Sequence, residues 1–510
     1  MALLERSQNE QGEVLFTLKH PGTLADIGKF TAANADMVKD ATAKAHKAQK
    51  SWGALSFAAR AVYINKLKIA ILDRMDDVVA VICKETGKPE AEALAEIAAA
   101  CDSMQYYAKH AEKTLKEKSS RVHLMFPFKK LITTYHPKGV VGVITPWNFP
   151  FSMGANPLAQ ALMAGNTVIL KPSEVTPFSA LILAELCVEA GLPEGVFQVV
   201  LGDGVTGAAL IDSGVNKIHF TGSVKTGRIV GEACGKRLIP CTLELGGKDP
   251  AIVCADADLD RAVPGVINSA FFNAGQACAS TERVYVMESI ADDFIRRVVE
   301  EVDRLRQDDK GEIDVSCMIW DNQLRIVEHQ VAEAIEQGAT LLAGGKRKEN
   351  AEGLFYQPTV LTDVHHNMAI MQDETFGPVL PIMRVADEEE ALRLANQTSY
   401  GLSGSIWTGD TQHGLDLARR LHTGCAAVND FGGLCYGAAE GSFGGRGDSG
   451  IGYVNGELGL TSFCQIQHII VHRFGPKREQ MWYPYDAKSN EGMKKFFNFF
   501  FRSWIGKFMT

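Results

Sequence analysis

A chain of 510 residues is far past the size one hydrophobic core can serve, so two or three domains are expected. Its balance, 46% hydrophobic and 22% charged, is that of a globular protein, and a formal charge of -9 without a Lys/Arg cluster in the body excludes an electrostatic grip on nucleic acid. Eleven cysteines with no C-x-x-C pair and no zinc-type Cys/His spacing exclude a disulfide framework and a structural metal site, and imply a reducing compartment.

The N-terminus lacks the basic-then-apolar layout of a signal peptide, and no run of eighteen apolar residues occurs, so a cytoplasmic body is expected. From about Ala35 to Lys118 the pattern is helical, with Val38, Ala41, Ala45, Ala48 and Trp52 returning every three or four positions. Ser56 caps the next helix, whose stripe includes Ala59, Val62, Leu67, Ile71 and Leu72. Between Ser119 and Pro137, Val122, Leu124, Phe126, Phe128 and Leu131 mostly alternate like an exposed strand that wants a partner.

At Gly139 the grammar changes. Strand-like runs at 140–144, 167–170, 197–201, 217–221 and 242–245 alternate with helical segments at 150–164, 177–190, from Val205 and at 224–236. That alternation predicts a parallel sheet covered by helices on both faces, with ligands beyond the carboxyl ends of the strands. After Gly247 a second α/β unit is expected, with a strand at 251–253, helices at 291–305 and 323–337, and strands at 358–361, 379–384 and 404–407.

Four candidate constellations follow the first strands. Thr145-Pro146-Trp147-Asn148 offers a side-chain amide able to donate to an oxyanion, although an Asx turn or helix cap explains an asparagine there equally well. Lys171-Pro172-Ser173-Glu174 sets a cation and a carboxylate at a strand end, where an acid can take ribose hydroxyls or simply form a solvated turn. Phe220-Thr221-Gly222-Ser223 with Gly227 reads as a strand end, glycine turn and helix start fit for pyrophosphate, but its G-x-x-x-x-G spacing also suits an ordinary turn. Leu243-Glu244-Leu245-Gly246-Gly247 puts an acid in an apolar strand, a candidate general base if buried and a surface residue if the strand alternates. Downstream, Cys278 closes the small-residue run Asn273-Ala274-Gly275-Gln276-Ala277; a buried inert thiol is the plain reading of any one cysteine.

Taken together and in order, these stretches resemble the NAD(P)-dependent aldehyde dehydrogenase superfamily over residues 15 to 472, as do Glu374-Thr375-Phe376-Gly377-Pro378 and Phe443-Gly444-Gly445 with Ser449-Gly450. The resemblance implies a Rossmann-type cofactor domain (1–118 and 138–246), a second α/β catalytic domain (247–442), a small β oligomerisation arm (119–137 and 443–475) and a tail from 476 to 510. It implies that Cys278 attacks the aldehyde carbon, that Asn148 and the Cys278 N–H form the oxyanion hole, and that Glu244 activates the water that hydrolyses the thioester. Lys171 and Glu174 would serve the adenosine ribose, Gly222, Ser223 and Gly227 the pyrophosphate turn, and Glu374 and Phe376 the nicotinamide ribose, with Thr145, Trp147, Ser173 and Leu245 completing the implied cofactor-binding set. NAD is favoured, because Glu174 suits a free 2′-OH; NADP is the alternative. No metal is called for, the partner is a small-molecule aldehyde, and a homodimer or homotetramer is implied.

Three positions depart from the family pattern: Ser442 stands for a proline, Gly447 for a lysine and Tyr453 for a basic residue, which leaves substrate preference open. An apolar fatty or aromatic aldehyde is favoured over succinic semialdehyde, since only Arg283 could offer a nearby cation to a second carboxylate. In the tail, Phe497, Phe500, Phe501, Trp504, Ile505 and Phe508 gather on one helical face, with Arg502, Ser503, Gly506 and Lys507 opposite or flanking. Residues 494–510 are too short and charged to span a bilayer, so the stripe either lies on the inner face of an anionic membrane or docks on protein.

Overall fold

The computed structural model describes residues 3–121, 128–308, 312–479 and 482–504. Chain contacts divide it into a larger unit, residues up to 111 with 137–463, and a smaller one of 112–136 with residues from 464 onward.

The larger unit begins with an antiparallel meander, Leu4–Gln8, Val14–Lys19 and Asp26–Thr31, on which the sequence reading was silent. Four helices follow. Asn34 starts Ala35–Gly53 by accepting from the N–H groups of Asp36 and Met37, and Ser56 caps Phe57–Asp73 as expected by accepting from Ala59. Met75–Thr86 ends on Gly87, at φ 69°, where the chain turns into Glu90–Leu115.

The expected parallel sheet has six strands, in the order Gly450–Ile451, Cys241–Glu244, Lys217–Thr221, Val140–Ile144, Thr167–Lys171, Phe197–Val199. All neighbours run parallel except Gly450–Ile451, which pairs antiparallel with Cys241–Glu244. The chain enters at Val140–Ile144, builds outward to Phe197–Val199, then returns to the other side at Lys217–Thr221. Strand order therefore reverses between Val140–Ile144 and Lys217–Thr221, and a crevice opens at their carboxyl ends.

The second sheet has seven strands, ordered Thr340–Ala343, Thr359–Thr362, Val379–Val385, Thr281–Met287, Asp249–Val253, Ser405–Trp407, Ala427–Val428. Its central strand, Thr281–Met287, is buried throughout and was not predicted, because its seven residues follow the cysteine stretch without an intervening turn signal. Helices Leu259–Phe271, Glu288–Val302 and Asp321–Glu336 cover it, burying among others Val266, Phe294, Val298 and Val327. The molecule is thus α/β with two mainly parallel sheets and a small β unit.

The smaller unit holds a three-stranded sheet, Cys464–His472, Lys129–Pro137, Lys118–Arg121, and the helix Ala487–Arg502. The single strand expected over 119–137 is two antiparallel strands instead, in which Lys118 faces Thr133 and Ser120 faces Leu131; Val122, Leu124 and Phe126 lie outside the described residues. Residues 443–463, expected in the arm, belong to the larger unit. The reason is pairing: Ile451 sits opposite Leu243 and Gly450 opposite Glu244, which ties this segment to the six-stranded sheet.

Candidate active site

Every cofactor-side residue singled out in the first half of the chain lies at a carboxyl end of that sheet. Thr145, Trp147 and Asn148 follow Val140–Ile144; Lys171 ends its strand and Ser173 and Glu174 follow; Gly222 and Ser223 follow Lys217–Thr221; Glu244 ends Cys241–Glu244 and Leu245 follows. The crevice at the reversal point is therefore lined by the predicted residues. Ser223 caps the helix Val224–Arg237 through the Thr226 N–H, leaving a helix N-terminus at the crevice. Gly227 has a packing reason of its own: a Cβ there would sit 2.4 Å from Leu245 Cδ2, so its absence lets the helix close onto the strand.

The cysteine stretch is held in an uncommon backbone. Asn273 and Ala274 both take left-handed dihedrals, φ 53°, and Gly275 follows at φ 69° with its Cα so close to Gly377 that a Cβ would lie 2.1 Å from that carbonyl oxygen. Such a turn persists only where side chains hold it. Glu92 Oε1 accepts from the Asn273 N–H at 2.8 Å, Asn273 Nδ2 donates to the carbonyls of Asn148 and Gln276, and Gln276 Nε2 donates to Asn273 and Cys317. Asn148 closes the loop by donating through Nδ2 to the Gln276 carbonyl at 2.9 Å, with one amide N–H still to give.

The side of Asn148 away from the cysteine is anchored by residues the sequence reading passed over. Lys88 Nζ donates to the Asn148 carbonyl at 2.8 Å and to Glu96 at 2.7 Å, and Glu96 accepts from the N–H groups of Phe151 and Ser152. Both side chains are buried, and Lys88 lies over the Phe149 ring, 4.3 Å from its centre. The signal available was charge: Lys88, just before the helix Glu90–Leu115, and Glu92 and Glu96 within it fall at four-residue spacing, and all three are buried.

Electrostatics separate the two reactive candidates from ordinary surface groups. Glu244 is 5% exposed and neither carboxyl oxygen has a partner among the described residues, so burial lifts its pKa well above the carboxylate range. The surface alternative for Glu244 fails because Gly450–Ile451 covers the strand edge, so Leu243, Glu244 and Leu245 are all buried. Burial, with smaller contributions from the carboxyls of Asp249, Glu374 and Glu244, pushes the half-buried Cys278 thiol up to about 12. Burial therefore favours the neutral form of both groups, the thiol and the carboxylic acid.

Glu374 accepts from the Gly247 N–H at 3.0 Å and lies where a Gly246 Cβ would be, 2.3 Å from its oxygen; burial, then Glu282, lifts its pKa to about 8. Glu282 in turn fixes the next turn by accepting from Thr375 and Phe376, with Lys248 Nζ 2.7 Å away. Phe376, at φ 50°, meets Trp147 edge to face at 5.4 Å. A dinucleotide fits this crevice on its orphaned polar atoms: Thr145 Oγ1 and Asn148 Oδ1 are buried without partners among the described residues, and burial depresses the Lys171 pKa, offset in part by Glu174, 3.6 Å away, and by Asp203. Among the described residues no group of His, Cys, Asp and Glu could hold a metal ion.

Residues 7–469 match the model of the aldehyde dehydrogenase family. The chain belongs to that family. It is an oxidoreductase that acts on an aldehyde. Among curated family enzymes it is 38% identical to 4,4'-diapolycopene aldehyde oxidase of Methylomonas sp, over 93% of this chain and 89% of that protein. It is 37% identical to a putative NADP(+) succinate-semialdehyde dehydrogenase of Mycolicibacterium smegmatis, over 92% and 90%. Among solved structures, an NAD-dependent aldehyde dehydrogenase from Sinorhizobium meliloti superposes with a TM-score of 0.88 at 35% identity, covering 94% of each chain. A Mycobacterium tuberculosis aldehyde dehydrogenase complexed with NAD+ gives 0.86 at 35%, covering 91% and 95%.

One expectation about substrate residues changes, and another gains a backbone reason. Arg283 is fully buried and bonded to the Lys248, Leu394 and Ala395 carbonyls and to the Tyr285 hydroxyl, so it is a core cation and not a carboxylate receptor. Gly447, where the family pattern has lysine, is at φ 59° with the Ser399 carbonyl 2.4 Å from where a Cβ would be, so this enzyme's backbone has committed to glycine there.

Proposed function

We propose that this aldehyde dehydrogenase oxidises its substrate through a covalent intermediate on Cys278. The aldehyde carbon enters beside the thiol, and attack by sulfur, with loss of the thiol proton, gives a thiohemiacetal whose oxyanion is met by the remaining Asn148 amide N–H and the Cys278 N–H. When bound, NAD or NADP supplies the oxidant, taking a hydride from that carbon. A thioester is left on Cys278. Glu244, once ionised, takes a proton from water, and the resulting hydroxide attacks the thioester to release carboxylic acid and the thiol. Lys171 and Glu174 with the helix N-terminus at Ser223 bind the adenosine and pyrophosphate parts, and NAD is favoured on the Glu174 carboxylate.

The observation that carries this reading is the partnerless buried carboxyl of Glu244 in the same site as the held Cys278 turn. Nothing structural is gained by keeping an acid there, so its value is chemical. The test is product identity and covalent trapping. Aldehyde and NAD should yield free acid without coenzyme A and an acyl mass on the Cys278 peptide; acyl transfer that depends on coenzyme A, or NADH formation by Cys278→Ala, would overturn it.

Apolar aldehydes are the proposed substrate class. Arg283 is spent on core carbonyls, and the 4,4'-diapolycopene aldehyde oxidase relative points to long apolar aldehydes, whereas the succinate-semialdehyde relatives point the other way. For helix Ala487–Arg502 a peripheral membrane reading is proposed: of the expected stripe, Phe501 and Trp504 are exposed beside Arg502, Phe500 is buried, and Ile505 and Phe508 lie outside the described residues. No described helix is long and apolar enough to cross a membrane. Eleven free cysteines favour a reducing, cytoplasmic setting, with this helix on the inner face of an anionic membrane and the chain a homo-oligomer. Rates across a panel from succinic semialdehyde through benzaldehyde to long-chain aldehydes decide the class: kcat/KM should climb toward the long chains, and a maximum at succinic semialdehyde would overturn it.

A further inference from the structure

Cys278 is not the only thiol at its site. Cys425 and Cys435 pack in the same small apolar cluster, with Ala279, Leu402, Tyr436 and Phe443. Cys425 is buried just before the strand Ala427–Val428, held by its N–H on Leu402, and its carbonyl takes the Thr423 hydroxyl. Cys435 is half-buried on the one-turn helix Leu434–Gly437, and its Sγ points back at the Ala426 carbonyl, 4.0 Å away and one residue from Cys425. Both thiols thus belong to one cluster, with the Cys435 sulfur against the residue next to Cys425. Between them the chain runs through Gly432 and Gly433, which supply the turn that brings position 435 back.

We infer that Cys425 and Cys435 are an oxidisable thiol pair that takes hydroperoxide ahead of the catalytic cysteine and closes as an intramolecular disulfide. Cys435 is the attacking sulfur. It is the more exposed of the pair, and its contact with Cys425 draws its pKa down and raises that of Cys425, whereas burial and the carboxyls of Asp249, Glu374 and Glu244 raise that of Cys278. The thiolate is therefore favoured at Cys435 over Cys425 and Cys278. Its sulfur attacks the peroxide, an S–O bond forms as the O–O bond breaks, and water leaves; sulfur is oxidised to sulfenic acid and the peroxide reduced. The Cys425 thiol then attacks that sulfur, an S–S bond forms, the S–O bond breaks, and a second water carries off the proton. Two thiols and one hydrogen peroxide thus give one disulfide and two waters. An external dithiol reverses the step by exchange.

The pair rests on this chain's own residues and does not depend on which aldehyde is used. A second adjacent pair, Cys234 and Cys241, sits at the six-stranded sheet, so the experiment is made in a Cys241→Ser background. The full-length protein is treated with hydrogen peroxide at neutral pH, alkylated and digested. Trypsin leaves both cysteines in one peptide, 421–446, which should be two hydrogens lighter; its halves, cut at Phe431, should stay joined until reduced. Over the same exposure Cys278 should still take the alkyl group, and a dithiol should return peptide 421–446 to its original mass. Adding Cys425→Ser should replace the disulfide by over-oxidised Cys435 that the dithiol does not restore. Oxidation of Cys278 before the pair, a Cys278–Cys435 disulfide, or both thiols of 421–446 alkylated after Cys278 is lost would each overturn the inference.

Discussion

Glu244, the proposed base, ties the stability of the fold to the proposed chemistry. Its folded pKa is raised, so the fold favours the protonated form: the stability it contributes is complete below the ordinary value of 4.5 and is lost as pH rises toward the raised one. Glu244→Gln has no such titration. The Tm of Glu244→Gln relative to the unchanged enzyme should therefore climb between pH 5 and pH 8, and a flat difference would contradict the burial argument. The direction follows the trade between stable cores and reactive sites. At this scale the sequence was legible where a motif named the residue: Cys278, Glu244 and Asn148 converge as expected. It was not legible where a residue works through another. Lys88 and Glu96 precede Asn148 by sixty and by fifty-two positions, and only the fold brings them to it.

At the scale of elements, the site depends on two held turns. Gly275→Ala places a Cβ 2.1 Å from the Gly377 carbonyl in a left-handed residue, so a loss of about 3 kcal/mol or more is expected, read by urea unfolding. Lys88→Met strands the buried Glu96 carboxyl, at a cost of about 3–5 kcal/mol, and the Lys88→Met/Glu96→Gln double variant should recover part of it. An additive double variant would mean that the pair does not act as a unit. The alternation of short β-branched runs with helical stretches made the five parallel strands of the first sheet readable, but not the antiparallel Gly450–Ile451, two residues long and far down the chain. The second was read only in part, because buried strands such as Thr281–Met287 carry no period of two, and short strands such as Ala427–Val428 are set by their neighbours.

For the whole molecule, the two sheets divide the labour: one sets cofactor groups at a reversal in strand order, and the other presents the Cys278 turn and the Glu374 carboxyl. The smaller unit carries a run of exposed apolar side chains, Ile466, Ile469, Ile470 and Phe474, on and after Cys464–His472, together with the aromatic helix. Removing 494–510 should lower the fraction of enzyme sedimenting with anionic vesicles several-fold while kcat on a small soluble aldehyde stays within about twofold; an unchanged pellet would contradict the membrane reading, and loss of the oligomer would favour docking on protein. The whole account turns on Cys278 acting first and Glu244 last, which rapid-mixing kinetics of Glu244→Gln with NAD and aldehyde test most directly. A burst of about one NADH per site, faster as pH rises because the thiol is held protonated, should precede turnover slowed by about 10²–10⁴-fold. Loss of the burst with NAD binding intact, or full steady turnover, would contradict it.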